Sequence, residues 1–384
     1  MNNPGIVIVG SGMAGYTLAR ELRKRDAAVP VTLVTEGAGE AYSKPMLSNA
    51  LAQGRTPDAL VQKPAATMAS ELGMTVLAGQ PVTGIDRANR RIVAGDAAIS
   101  YDRLVLAVGA RPRPWTAPGS AAAPVFAVNS LEDYRIWRDG LAEGARVLIV
   151  GAGLIGMEFA NDLAQAGYAV TLVDPAPWPV ARLAPEALGR AVQQALEDIG
   201  VGFRFGRNVA EMQPEGTGWR ARLDDGATVE FDRALVAIGL VPRAELAADA
   251  GLAADGGIVV DTLLRTADPD IFALGDCARG PAGALPFVLP LMAQARALAA
   301  TLTGSPTPLH LPALPVLMKT PALPLVVCPP PAGVAGTWAV SGSGRDLRAL
   351  YRAADGSAIG FALSGTETAA RQTLAKTMPD MLAS

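Results

Sequence analysis

Two stretches of this chain obey the same rule, and that rule leaves few folds open. In the first, the β-branched run Ile6-Val7-Ile8-Val9 enters Gly10-Ser11-Gly12-Met13-Ala14-Gly15 and then a helical pattern over 16–21. In the second, Arg146-Val147-Leu148-Ile149-Val150 enters Gly151-Ala152-Gly153-Leu154-Ile155-Gly156 and a helical pattern over 157–166. Each reads as strand, tight turn, helix. In such a unit the first glycine makes the bend, the second lets the backbone approach a pyrophosphate, and the third lets helix and strand pack closely, with the phosphates at the helix N-terminus. Each unit also carries an acid where a ribose-binding acid belongs. Glu36 closes the strand at 31–35, 21 residues beyond Gly15, and Asp174 closes the strand at 169–173, 18 residues beyond Gly156. One such glycine motif is weak evidence. Two complete units predict two nucleotide sites on two α/β domains, with Gly10, Gly12, Met13, Ala14 and Gly15 lining one and Gly151, Gly153 and Gly156 the other.

A chain of 384 residues, half of them apolar, is long enough for two or three such domains. The net charge of −3 is unpatterned and offers no reason to expect nucleic acid or an anionic membrane. The chain enters a strand by Ile6 without a basic or apolar leader, so a cytoplasmic protein is expected. The longest apolar run, 147–157, holds three glycines and stops at Glu158, short of the roughly 20 residues of a membrane span. Cys277 and Cys328 are far apart, and His310 is the single histidine. A cysteine metal site, an iron–sulfur cluster, a local redox disulfide and a serine–histidine triad all lack parts. No metal is expected, and the hard chemistry falls to a bound cofactor.

Between the two glycine turns lies Tyr42-Ser43-Lys44-Pro45-Met46-Leu47-Ser48, where Pro45 fixes a turn and biases Lys44 towards an extended conformation presented from a loop. A helix is expected over 64–72 and strands over 75–77 and 91–93. The run from Tyr101 to Gly109 reads as a strand closing on glycine, followed by a proline-rich crossover that begins at Arg111. The run from Phe231 to Gly239 repeats that pattern and is followed by Leu240-Val241-Pro242-Arg243, so the chain leaves its first domain and returns to it. Once back, an apolar strand ends in Gly275-Asp276, placing a carboxylate where open α/β sheets bind ligands. A helix follows over 290–302. The last segment, with strands near 337–340, 347–351 and 358–363, reads as a small α+β cap. The expected fold is therefore α/β, two Rossmann-like domains plus a C-terminal α+β domain: 1–114 and 243–318 for the first, 115–242 for the second, 319–384 for the cap.

This constellation resembles the two-dinucleotide-binding-domain flavoprotein reductases, the pyridine nucleotide-disulphide oxidoreductase superfamily, over the whole chain. The stretches 42–48 and 151–163, together with Lys319-Thr320-Pro321 and the prolines after Cys328, resemble its rubredoxin–NAD(+) reductase branch. The resemblance implies FAD on the first turn, with Glu36 on its adenosine ribose, Arg111 near the pyrophosphate, and Gly275 and Asp276 at the ribityl chain. It places Lys44 and Glu158 beside the flavin on the nicotinamide side, with Lys319 returning to the flavin. Glu158 follows Gly156 by two residues and is expected in the first helical turn, where a Lys44–Glu158 pair could border the hydride path. Lacking a cysteine pair, the chain departs from the disulphide-reducing members. The resemblance therefore implies an oxidoreductase that passes electrons from NADH through FAD to a small acidic one-electron iron or iron–sulfur carrier, rubredoxin foremost, with the cap at 319–384 as the unit on which that acceptor docks. The alternatives are a ferredoxin or rubredoxin-like domain as acceptor, an NADH oxidase reducing oxygen species, or a nucleotide-sensing protein that keeps its flavin but turns over slowly.

Asp174 also selects the donor. A carboxylate accepts hydrogen bonds from a ribose 2′-hydroxyl and repels a 2′-phosphate, and the next residues, Pro175-Ala176-Pro177-Trp178, contain no arginine. We expect kcat/KM for NADH to exceed that for NADPH by at least about tenfold, equivalent to roughly 1.4 kcal/mol. Initial rates with each nucleotide measure this directly, and equal values would refute the role of Asp174.

Overall fold

The computed structural model describes residues 5–331 and 333–383. The first strand, β1 (Ile6–Val9), is apolar throughout and buried on both faces, the condition for a central strand of a parallel sheet. It turns into helix α1 (Met13–Arg25), and β2 (Val31–Val34) returns parallel to it, Ile6 opposite Val31. Beyond β2 lies β3 (Thr75–Leu77), and on the other side of β1 lies β4 (Arg103–Leu106). Between β3 and β4 the chain makes an antiparallel meander of three strands, Val82–Asp86, Arg91–Ala94 and Ala97–Ser100.

The second unit repeats this order. Strand β5 (Arg146–Val150) turns into α2 (Leu154–Gln165), and β6 (Ala169–Asp174) and β7 (Gly202–Phe205) extend the sheet. A second meander, Val209–Glu215, Gly218–Leu223 and Thr228–Phe231, then leads into β8 (Arg233–Val236), which pairs with β5 on its far side. The chain returns to the first sheet as β9 (Ile271–Ala273), parallel to β4, giving the order β9-β4-β1-β2-β3. The two crossovers are hydrogen-bonded to each other as an antiparallel ribbon, Ala110–Pro112 against Leu240–Pro242, with Arg111 opposite Val241. Helix α3 (Val288–Leu302) then packs on α1.

The C-terminal unit is a five-stranded antiparallel sheet: β10 (Val316–Met318), β11 (Leu325–Cys328), β12 (Gly336–Ser343), β13 (Asp346–Ala353) and β14 (Ala358–Ser364), in the order β10-β11-β14-β13-β12. A short helix, α4 (Arg371–Ala375), covers one face. The sheet thus begins at Val316, three residues ahead of the boundary expected at Lys319. Two further expectations differ. The strand expected over 101–109 is paired only at Arg103–Leu106, because Tyr101 enters the core and Gly109 takes a left-handed φ of +69° to launch the crossover. Lys44 is not in an extended loop but opens a 3₁₀ helix, Lys44–Asn49, closed at its start by the Met46 N–H on the Ser43 carbonyl at 2.9 Å. Burial of Leu47 and Ser48 in that helix outweighs the pre-proline preference of Lys44.

One apolar cluster contains Leu47 and Leu51 of the first unit, Met157 and Leu163 of α2, and Met318 and Leu325 of the C-terminal sheet. The three units therefore share a core, and the seam between them is rigidly packed.

The glycine turns show which glycines the fold itself demands. A Cβ on Gly10 would lie 2.3 Å from the Ala107 carbonyl oxygen and one on Gly15 2.0 Å from that of Gly10. The second unit repeats both contacts: Gly151 to Ala237 at 2.6 Å and Gly156 to Gly151 at 1.9 Å. Gly12 and Gly153 differ, with φ of −66° and −74° and nothing within 4 Å of an added Cβ. Gly156→Ala should therefore destabilise the protein by about 1–3 kcal/mol, since a backbone clash has no rotamer to relieve it. Gly153→Ala should cost nothing measurable in chemical denaturation without pyridine nucleotide; comparable losses in the two variants would contradict this division.

Candidate functional site

Since the protein itself leaves room for a side chain at Gly12 and Gly153, their being glycine is explained by something outside the chain approaching the turn. A pyrophosphate lying across each helix N-terminus fits that open space. At the first turn, Gly275 (φ +77°) brings the end of β9 against α1: a Cβ there would lie 2.9 Å from Ala14 Cβ, and the Gly275 N–H donates to Gln294 Oε1 of α3 at 2.7 Å. That contact holds the turn that carries Asp276 against the first residues of α1. Burial pushes the Asp276 carboxyl up, while the Lys44 ammonium pulls it down. Burial correspondingly lowers Lys44, with Asp276 and then Asp133 holding it up and Arg243 lowering it further. Lys44 thus belongs electrostatically to Asp276. The expected Lys44–Glu158 ion pair is not formed.

Glu158 takes a different lysine. It is only 3% exposed, and it lies on the fifth residue of α2, just past the first turn in which it was expected. Its Oε2 accepts from Lys319 Nζ at 2.9 Å and from Ser48 Oγ at 2.5 Å, and its Oε1 accepts from the Lys319 backbone N–H at 2.8 Å. The Lys319 ammonium also donates to the Pro45 carbonyl oxygen. Lys319, just after β10, therefore contacts both nucleotide units at once, and its ammonium sits against the turn that Lys44 opens.

Two more polar residues of α2 continue this stitching at helical spacing. Asn161 Oδ1 accepts from the Ala322 N–H at 3.1 Å, and the buried Asp162 accepts from the N–H groups of Leu51 at 3.0 Å and Ala52 at 2.9 Å. Burial pushes the Asp162 carboxyl up, and those backbone donors hold it down in part. Ser48, Asn161, Asp162 and Gln294 were not singled out from the sequence. The signal for two of them was present: polar side chains at i, i+3 and i+4 on an otherwise apolar helix have to find partners.

The two ribose acids differ. Asp174 is pre-set: one carboxylate oxygen accepts from the Ala152 N–H at 2.6 Å and the other from the Ala176 N–H at 2.7 Å, which aims it at the Gly151–Gly156 turn. Glu36 is exposed, with Arg243 as its ion-pair neighbour at 3.9 Å. Arg111, expected near a pyrophosphate, pairs its guanidinium with Glu245 beside the crossover ribbon. The cysteines are both buried and free, and burial pushes each thiol up to about 11, so neither is a thiolate nucleophile at neutral pH. His310 pairs with Asp380 at 2.9 Å on the surface. No helix of the described residues is long and apolar enough to cross a membrane.

Residues 4–296 match the family described as pyridine nucleotide-disulphide oxidoreductase, and residues 308–378 the family described as rubredoxin binding C-terminal domain. The chain is similar to the rubredoxin–NAD(+) reductase of Alcanivorax borkumensis, 43% identical over 380 residues that cover 98% of this chain and 99% of that one. It is 40% identical over 375 residues to the nitric oxide reductase FlRd–NAD(+) reductase of Aeromonas salmonicida, covering 97% and 96%. Among solved structures it is similar to a ferredoxin reductase from Rhodopseudomonas palustris, with a TM-score of 0.89 at 28% identity over 98% of this chain and 96% of that one.

The open space above Gly12 and the buried anchoring of Glu158 predict opposite phenotypes. Gly12→Val should purify without flavin, since its side chain would occupy the pyrophosphate's place. Glu158→Ala should keep its flavin, because Glu158 belongs to the second nucleotide unit, but should be reduced more slowly by NADH. Visible absorbance of the purified variants and stopped-flow reduction measure both, and loss of flavin from Glu158→Ala would show that its contacts to Ser48 and Lys319 also hold the first nucleotide unit in its flavin-binding shape.

Proposed function

The chain belongs to the pyridine nucleotide-disulphide oxidoreductase family, and from that premise we propose that it carries electrons from NADH through FAD to a small one-electron iron protein, rubredoxin foremost. The observation that carries this reading is Lys319. It lies within the segment matching the rubredoxin-binding domain, and through Glu158 and Pro45 it reaches the place where the two nucleotide units meet. The unit that would receive the acceptor is thus wired to the helix that would receive NADH.

FAD, when bound, supplies the chemistry the side chains lack: it takes a hydride from NADH and gives up single electrons. The remaining work falls to the chain. Gly10, Gly12, Met13, Ala14 and Gly15 would cradle the FAD pyrophosphate at the N-terminus of α1, with Glu36 and Asp276 taking ribose and ribityl hydroxyls. Gly151, Gly153 and Gly156 would do the same for NADH, and Asp174, already fixed by two backbone N–H donors, would accept from its ribose. Glu158, with every carboxylate oxygen occupied, holds the Lys319 ammonium in place rather than moving a proton. Lys44 and Lys319 together present two cations beside the 3₁₀ turn, where they favour added negative charge. With no thiolate available, electrons leave without a protein dithiol.

Stopped-flow mixing tests the reading. Enzyme reduced with NADH is mixed with rubredoxin, ferredoxin or oxygen, and rubredoxin should reoxidise it fastest by orders of magnitude; a fast oxygen reaction would instead make it an oxidase. Raising ionic strength from about 10 mM to 0.15 M, which shortens the Debye length from about 30 Å to about 8 Å, should slow the rubredoxin step severalfold. Reduction by saturating NADH should change little.

A further inference from the structure

The residues just after Asp174 include no arginine, but the fold brings one to it from elsewhere. Strand β7 ends at Phe205, and the loop that follows lies along the segment carrying the ribose acid. There the Gly206 N–H donates to the Ala176 carbonyl oxygen at 3.0 Å and the Arg207 N–H to that of Asp174 at 3.2 Å. Beside this seam a cavity of about 330 Å³ opens at the C-terminal end of the second sheet. Its lining includes Gly151 of the glycine turn, Val173 and Pro175 on either side of Asp174, Ile238, Trp115 just past the first crossover, and Arg207. Arg207 is the only charged residue among those that line it.

An arginine in that position is what a 2′-phosphate needs, a permanent cation whose planar fork of donors matches phosphate oxygens. Here the guanidinium is already engaged. Its Nε donates to Asp225 Oδ2 at 2.5 Å and its Nη1 to the Gly206 carbonyl oxygen at 2.9 Å. Asp225 comes from the tight turn of the second meander, between Gly218–Leu223 and Thr228–Phe231, and its other oxygen accepts from the Ala227 N–H at 3.0 Å. Asp224, from the same turn, accepts from the backbone and side-chain nitrogens of Asn208 at 3.1 and 3.2 Å. The turn is thus fastened to the rim of the cavity and brings two carboxylates with it. With Asp174 on the other side, three acids stand around one arginine.

Resting on the donor site proposed above, we propose that Asp225 is a second determinant of donor choice, a positioning residue that holds Arg207 as an ion pair and so withholds it from the 2′-phosphate of NADPH. NADH presents a hydroxyl at that place and loses nothing by the arrangement. Asp174 repels the phosphate at the ribose, and Asp225 occupies the cation in the cavity wall that would otherwise compensate for it. The Arg207–Asp225 pair is about half exposed on both sides, so it is a modest barrier whose release becomes visible once the Asp174 charge is gone.

The test compares four variants of the full-length flavoprotein: Asp174→Ala, Asp174→Ala/Asp225→Asn, Asp174→Ala/Asp225→Glu, and Asp174→Ala/Asp225→Asn/Arg207→Ala. Asparagine keeps the oxygen that accepts from the Ala227 N–H and so spares the turn. Steady-state rates with NADH and NADPH are measured with ferricyanide, a small inorganic acceptor, and binding of 5′-AMP and 2′,5′-ADP is measured by calorimetry. The Asp225→Asn double variant should exceed Asp174→Ala by about fivefold in kcat/KM for NADPH, through KM with kcat unchanged. It should bind 2′,5′-ADP tighter by the same factor and 5′-AMP no differently. The Asp225→Glu double variant, which restores the charge, should show no gain, and Arg207→Ala should abolish it. Equal NADPH kinetics and 2′,5′-ADP affinity in Asp174→Ala and the Asp225→Asn double variant, or a gain that survives Arg207→Ala, would overturn the role of Asp225 while leaving the donor site intact. A parent protein that binds neither 5′-AMP nor NADH would overturn the second nucleotide site itself.

Discussion

The structure turns on one buried carboxylate. Glu158 is almost wholly removed from water, and a carboxyl group in that position is tolerable only with its oxygens hydrogen-bonded. Its own helix belongs to the second nucleotide unit, yet Ser48 comes from the first and Lys319 from the C-terminal unit. The pair therefore exists only when all three are docked. The arrangement thus ties the three units together at the same seam that the apolar cluster fills. Asn161 and Asp162 apply the same physics one turn further on, accepting from backbone N–H groups of the neighbouring units.

Around that seam the two nucleotide units are near copies. Their turns repeat the same close contacts at Gly10 and Gly151 and at Gly15 and Gly156, and their sheets close with the same meander-then-strand order. They diverge in what surrounds the ribose acid. Asp174 is locked by two backbone donors while Glu36 is left in solvent. On the function proposed, a pre-set acid would suit a ligand that comes and goes, and an exposed one would suffice where many other contacts hold a resident cofactor.

Electrons have no covalent relay through this protein. Both cysteines are buried and free, and burial pushes each thiol up to about 11, so neither supplies a redox dithiol. Lys319 is ion-paired to Glu158 of the second nucleotide unit, while Lys44 has Asp276 of its own unit as its main charge neighbour.

Residue spacing alone determined the two α/β units, their four fold-demanded glycines, the departure and return of the chain, and the candidacy of Asp174 and Asp276, while Lys44, Glu158 and Lys319 came forward through the resemblance to a known family. Those features are local: a β-branched run, a positive φ and a helix start are set within a few residues of one another. Which lysine answers Glu158 was not local. The sequence reading paired it with Lys44, 114 residues earlier, and the folded chain pairs it with Lys319, 161 residues later. Nor could spacing show that Arg111 would be taken by Glu245 or that Lys44 would open a 3₁₀ helix. Partner choice among charged groups depends on three-dimensional distance and on how much water is excluded between them, and both come into being only when the three units pack.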